Sequence, residues 1–369
     1  MNNNLSVCIM AGGVGQRFWP RSRESNPKQL INIVGEKSLI TQTAERNFNH
    51  VSPEQLYVIT TKSQAEDISA AIGKVPKQNI IAEPYGRNTA PCIGLVCALL
   101  AAKDPGTVLA VVPADHWIPD IDIFSRTIRN AAEIASREKA LVTLGIKPRG
   151  PETGYGYILA GKTIDFAGKT TFSKVDKFIE KPEKRKAEKL IANGNAFWNA
   201  GMFVFKISEM LNSFQKFLPD FYEGLIKIRK AASTEYGTGT SGLEKIIEEV
   251  YSNAPKISID YAIMEKAENV IVAQSDFNWD DIGSWASVAN HLPKDKNNNA
   301  VRGNVATVDS SDCVIENTGK SVIGLVGVEN LIVVQTDDAL LICKKDKDQD
   351  VKKLVEKLKN NPELKKFTE

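Results

Sequence analysis

Apolar residues in the first 146 positions alternate between two patterns. Short continuous runs at 5–10, 56–61, 108–112 and 140–146 read as strands buried on both faces, while 38–48, 89–102 and 124–138 read as helices. Apolar strands alternating with helices predict a doubly wound α/β sheet. The middle of the chain is more mixed. Strand character at 155–160, 174–179, 202–205 and 269–274 is interrupted by helical stretches at 182–193, 243–250, 261–267 and 283–291.

A polar stretch, LPKDKNNNAVRGN at 292–304, reads as a linker. Beyond it the pattern changes to short runs (NVATV, CVIEN, SVIGLVGV, LIVVQT, ALLICKK) that predict a small all-β unit without a clean repeat period. The end reads as a basic amphipathic helix with Val351, Leu354, Val355 and Leu358 on one face. The expected organisation is a domain at 1–291, a linker at 292–303 and a β-rich unit at 304–369 ending in that helix.

Composition narrows the function classes. The 47 Lys and Arg residues nearly balance 45 Asp and Glu, so no global basic excess points to nucleic acid and any anion site must be local. The five cysteines, Cys8, Cys92, Cys97, Cys313 and Cys343, show no CxxC spacing and read as buried thiols of a reducing compartment. Only three histidines are present, so a His-rich metal site is poorly supplied. Neither a signal peptide nor an apolar run of membrane-spanning length is visible, which makes the cytoplasm the expected location.

The candidate chemistry begins at MAGGVGQRFWPRSRESNPKQL, 10–30. A dinucleotide fingerprint GxGxxG needs a third glycine at position 18, which is Phe18, and the P-loop pattern GxxxxGK[ST] also fails. Backbone N–H groups of Gly12, Gly13 and Gly15 can still face a polyphosphate. Arg17 can add a planar fork and Lys28 a compact charge, with Pro20 and Pro27 stiffening the chain between them. The bland alternative is a glycine turn with surface cations.

Four further segments carry polar groups beside predicted strands or turns. Asp115, in VVPADHW, follows a buried strand. It suits either Mg²⁺ or a helix N-cap. Glu180 and Lys181, in FIEKP, can meet sugar hydroxyls and a phosphate, or be solvated charges. Asn199, in FWNAG, suits a sugar pocket or a turn. Asp281, in WDDIGSW, can be a second metal ligand or a cap. All five tryptophans fall in or beside these four segments and the glycine loop, which fits a shared pocket or simply a core.

In this order the motifs AGGxGxRxxP…PK, PADH, EKP and WxDxG resemble the sugar-1-phosphate nucleotidyltransferases. EPYGRNTAP at 83–91, WNAGMF and SIDYAIME at 258–265 bring the resemblance closest to members that act on mannose 1-phosphate with GTP. It covers residues 5 to about 290.

The resemblance implies a Rossmann-like GT-A core, a mixed and mostly parallel sheet with helices on both faces. It implies Mg²⁺ as cofactor, GTP and mannose 1-phosphate as partners, and GDP-mannose and pyrophosphate as products. It places Gly12, Gly13, Arg17 and Lys28 at the triphosphate, Asp115 and Asp281 at the metal, and Lys181 at the sugar phosphate. Gly156, Glu180, Asn199 and Asp260 fall around the sugar, and Glu83, Arg87, Asn88 and Thr89 where the base is read. It also suggests self-association through the C-terminal β unit. Because many relatives continue into an isomerase domain that this sequence does not contain, no isomerase activity is expected. The rival readings are another sugar or base on the same fold, a non-catalytic nucleotide-sugar-binding relative, and a dehydrogenase that Phe18 already weakens.

Overall fold

A computed structural model of the chain describes residues 4–234 and 241–369. It groups into two compact units, each gathered from separate stretches. The first runs up to Gly12 and adds Ala44–Pro113 and Ile118–Trp279. The second takes Gly13–Thr43, Ala114–Trp117 and Asp280–Glu369. This grouping cuts across the boundaries expected at 291 and 303: the glycine loop and the PADH segment fold with the last 90 residues.

The first unit is built on nine strands: β1 (Leu5–Met10), β2 (Leu56–Thr61), β3 (Ile80–Glu83), β4 (Val108–Pro113), β5 (Leu141–Ile146), β6 (Tyr157–Ile164), β7 (Thr171–Ile179), β8 (Ala196–Lys206) and β9 (Val270–Ser275). Their order is β3-β2-β1-β4-β8-β5-β9-β7-β6. β7 and β8 run against the other seven. The sheet is therefore mixed but mostly aligned one way, as expected.

Both faces of the sheet are covered. Leu109 and Val111 join the core formed with the helices Thr89–Ala101, Ile207–Phe217 and Pro219–Thr234. The intervening Val108, Ala110 and Val112 are equally buried and point the other way. There the helix Ile121–Arg137 packs against β4, β5, β8 and β9. Two-sided burial explains why these strands read as continuous apolar runs.

In the second unit β10 (Ala300–Arg302), β12 (Val314–Asn317) and β14 (Leu331–Gln335) stack in parallel, with β15 (Leu340–Lys344) antiparallel at the edge. β11 (Val305–Val308) and β13 (Ile323–Val326) stack in parallel beside them. Alternate strands pair, so the chain coils as a small β-helix. β10 also shows that the polar linker ends before residue 300. The core of this unit joins Phe18, Trp19 and Trp285 to Val314, Ile332, Val351 and Val355. Leu354, expected on the buried face of the terminal helix Val351–Lys359, is exposed.

Four cysteines are buried, Cys343 is half-buried, and all are free. No helix among the described residues is long and apolar enough to cross a membrane.

Candidate active site

The glycine loop of the second unit turns at Gly15, whose φ is +74°. A β-carbon there would lie 2.3 Å from Lys28 Cβ, so glycine serves both the left-handed backbone and the close approach of Lys28. The loop's carbonyls are tied from behind. Ser22 Oγ donates to Gly15 O at 2.6 Å, Lys28 N to Val14 O at 3.0 Å, and Gln29 Nε2 to Gly13 O at 3.0 Å. Phe18 is buried edge-on to Trp285, and Lys28 Nζ stands 5.2 Å from the Phe18 ring centre. The residue that breaks the dinucleotide pattern thus packs beneath the cation.

Lys28 is buried but not orphaned. Its ammonium donates to Asp115 Oδ2 at 2.6 Å and to the Asp281 carbonyl at 3.0 Å. The PADHW and WDDIG segments are brought together by a two-way backbone bridge between Trp117 and Asp280. His291 reinforces it: its Nε2 lies 2.9 Å from Asp280 Oδ2 and its ring 4.2 Å from Trp117. Exposed Arg17 donates to Gly283 O at 3.3 Å, and a β-carbon at Gly283 would lie 3.1 Å from the Asp281 carboxylate oxygens.

Arg17, Lys28, Asp115 and Asp281 therefore form one cluster. Burial disfavours the Asp115 carboxylate, but the Lys28 ammonium, the nearby His116 and a backbone hydrogen bond together hold the carboxyl below its ordinary value. Two hard carboxylates suit Mg²⁺, which completes its shell with water and phosphate oxygens. No group of three or more His, Cys, Asp or Glu that could hold a metal occurs among the described residues.

In the first unit, the segment after β3 forms a second cluster. Glu83 is buried, its Oε1 accepts from Tyr251 Oη at 2.9 Å, and a β-carbon at exposed Gly12 would stand 3.6 Å from Oε2. Burial pushes the Glu83 carboxyl up to about 7, with the Tyr251 hydrogen bond pulling the other way. Arg87 is engaged in the fold. It donates to the carbonyls of Tyr251 at 3.2 Å and Ser252 at 3.0 Å and lies over the Tyr85 ring. Asn88 caps the helix Thr89–Ala101 through Thr89 N at 2.8 Å, in a backbone conformation (φ +73°, ψ −177°) that is rare outside glycine. Thr89 Oγ1 accepts from Ile259 N at 2.9 Å.

That contact leads to a third cluster. Asp260 opens a short π-helical turn, Asp260–Met264, within the stretch whose pattern predicts a helix at 261–267. Asp260 Oδ1 accepts from Asn199 Nδ2 at 2.9 Å, while Asn199 Oδ1 accepts from Thr143 Oγ1 at 3.0 Å and Gly201 N at 3.1 Å. Asn199 N donates to Gly156 O at 2.8 Å. A β-carbon at Gly156 would meet Glu180 Oε2 at 2.4 Å, and Lys181 Nζ pairs with Glu180 Oε1 at 2.7 Å. Burial and the nearby Glu180 raise Asp260 to about 6, opposed by Asn199 and Lys181. Burial works against the Lys181 charge, but Glu180 leaves its pKa raised. FWNAG is thus part of a long strand rather than a turn, and Gly201 bends it with φ +63°.

The tryptophans do packing work more than lining. Trp19 and Trp285 are core residues of the second unit, and Trp198 and Trp279 are buried in the first with Tyr155 edge-on between them. Thr143 and Tyr251 carry no motif that marks them in the sequence. Thr143 is a lone polar residue in an apolar strand, which was its available signal. Tyr251 sits in the helix Ser241–Asn253 and looks there like one more core aromatic.

A mixed sheet, and a glycine loop closed on a lysine that Asp115 and the Asp281 carbonyl hold, fit a nucleotide-transferring enzyme. The nucleotidyl transferase family model matches residues 6–298, and a MannoseP isomerase/GMP-like beta-helix model matches 303–358. A mannose-1-phosphate guanylyltransferase of Salmonella muenchen is 40% identical over 97% of this chain and 74% of its own length. One of Klebsiella pneumoniae is 37% identical over the same shares. A solved structure from Thermus thermophilus, described as a mannose-1-phosphate geranyltransferase, superposes with a TM-score of 0.83 at 32% identity, over 96% of this chain and 99% of its own. The chain belongs to the nucleotidyl transferase family, in its mannose-1-phosphate guanylyltransferase branch.

Proposed function

We propose that this chain transfers a guanylyl group from GTP to α-D-mannose 1-phosphate, giving GDP-mannose and pyrophosphate. The observation that carries the reading is the Lys28 ammonium seated between Asp115 and Asp281 beside the glycine loop. The names of the relatives support the substrates.

A sugar phosphate is already an anionic nucleophile at neutral pH, so its attack on the α-phosphorus needs no general base. The barrier lies in bringing two anions together and in charge building on the leaving pyrophosphate. Arg17 and Lys28 would bind that pyrophosphate, and Lys181 would hold the attacking phosphate in line. Asn199, Asp260, Glu180 and the Gly156 backbone would surround the sugar. Glu83, Arg87, Asn88 and Thr89 would lie where the base is read. Asp115 and Asp281 would hold Mg²⁺, which when bound neutralises phosphate charge.

The test is pyrophosphate release from GTP with and without mannose 1-phosphate, and with and without Mg²⁺. Release from another nucleotide or sugar phosphate in preference would replace the substrates but keep the class. Self-association through the β-helix is part of the same reading. It is supported by Val308 and Val326, which pair in register and are both exposed, and sedimentation of the purified chain tests it.

A further inference from the structure

The stretch between Arg17 and Lys28 is fastened at four points to the C-terminal part of its own unit. Trp19 Nε1 donates to the Phe367 carbonyl at 2.8 Å. Arg23 grips Asp338 with both terminal nitrogens, at 2.8 and 2.5 Å. Glu24 pairs with Lys359, and its backbone N–H donates to Thr368 O at 3.1 Å. Arg21 Nη1 reaches Glu316 Oε1 at 2.5 Å.

The last contact is the informative one. Glu316 lies on β12 with its side chain wholly buried, directly after the core residues Val314 and Ile315. Arg302 binds the same carboxylate, through Nε at 2.6 Å. Both arginines also reach Asn32, Arg21 through the Asn32 side chain at 2.8 Å and Arg302 through its carbonyl at 3.1 Å. A buried ion cluster is weak evidence for stability, because desolvation offsets most of its attraction. Its better-attested use is to fix one arrangement among several. Here the arrangement it fixes is the loop. Arg21 N and Ser22 N both donate to Phe18 O, Ser22 Oγ donates to Gly15 O, and Gly15 closes on Lys28.

We propose that Arg21, anchored by Glu316 of the β-helix, is a positioning residue for Arg17 and Lys28, so that the β-helix sets the geometry of the triphosphate loop. The inference rests on the role given above to Arg17 and Lys28.

The experiment uses the full chain, with Glu316→Gln (same shape, one charge fewer) and Arg21→Lys (same charge, no fork). Kinetics are measured in both directions at a temperature where circular dichroism shows each variant folded. The expected result is a loss of kcat/KM for GTP, and a rise in KM for pyrophosphate, on the order of tenfold. The KM for mannose 1-phosphate should stay within about twofold. Lower melting temperatures with unchanged kinetics for GTP and pyrophosphate would make the cluster structural only and overturn the proposal. So would an equal loss for all three substrates. Should Glu316→Gln fail to fold, Asp338→Asn loosens a more exposed fastening of the same loop. It should give a smaller loss of the same kind, and its absence counts against the proposal equally. A wild-type chain that releases no pyrophosphate overturns the functional reading and this inference with it, whereas an active wild type with unaltered variants overturns this inference alone.

Discussion

Lys28 Nζ stands 2.6 Å from Asp115 Oδ2, so the cation proposed for pyrophosphate and a carboxylate proposed for the metal are each other's counter-charge.

Lys28→Ala removes both the cation and the partner of Asp115. Turnover should fall on the order of 10²–10³-fold, read as pyrophosphate release, while the circular dichroism spectrum stays that of the wild type. Asp281→Ala should cost a similar factor. Near-normal turnover in either variant would remove that residue from the mechanism.

Gly15→Ala tests the close approach directly. The added methyl would sit 2.3 Å from Lys28 Cβ on a backbone at φ +74°, so either the loop or Lys28 must move. The left-handed conformation alone costs about 1–2 kcal/mol for a residue with a β-carbon. We expect a melting point lower by a few degrees and at least about tenfold less turnover, measured on the same preparation.

Gly156→Ala should behave differently. Its methyl would clash with the carboxylate tip of Glu180, the far end of a flexible side chain, and make ordinary contact with Asn199 Cβ and the Phe178 ring at 3.4 Å, so the fold should tolerate it. Displacing Glu180 loosens Lys181, its partner at 2.7 Å. The expected outcome is a KM for mannose 1-phosphate raised about tenfold with the KM for GTP within about twofold. An equal change in both would break the assignment of this cluster to the sugar phosphate.

Glu83 predicts a pH signature. Its carboxyl is ordinary in the unfolded chain and raised to about 7 in the fold by burial. Between these values the native state holds more protons, so stability falls as pH rises from about 4.5 to 7 and the loss stays in place above that. Glu83→Gln should therefore be more stable than the wild type at pH 8, by at most about 3 kcal/mol and with a higher Tm, the difference being gone near pH 4. A Tm difference independent of pH would mean that Glu83 is not the group responsible.

What could be read from the sequence depended on how locally each feature is encoded. β1 and β2 agree with the runs to the residue, because burial on both faces keeps each run mostly apolar or β-branched from end to end. Arg17, Lys28, Asp115 and Asp281 could be named because each sits in a compact motif, and the structure brings them together. Arg87 sits in a distinctive motif, but nothing in the sequence signals that its Nε and Nη2 donate to the carbonyls of Tyr251 and Ser252. Thr143 and Tyr251 acquire their roles only through partners far along the chain, Asn199 and Glu83. The β-helix shows no sequence repeat because its rungs are unequal. Ala300 pairs with Val314, 14 positions on, but Val314 pairs with Ile332, 18 positions on.

The bond from the Trp19 indole to the Phe367 carbonyl spans 348 positions. The glycine loop is thus synthesised well ahead of a group that fastens it. A nascent chain carries an unfastened phosphate loop until Phe367 has been made, and contacts so distant in sequence form slowly. Competence to bind nucleotide should follow the closing of the β-helix and its terminal helix on the loop.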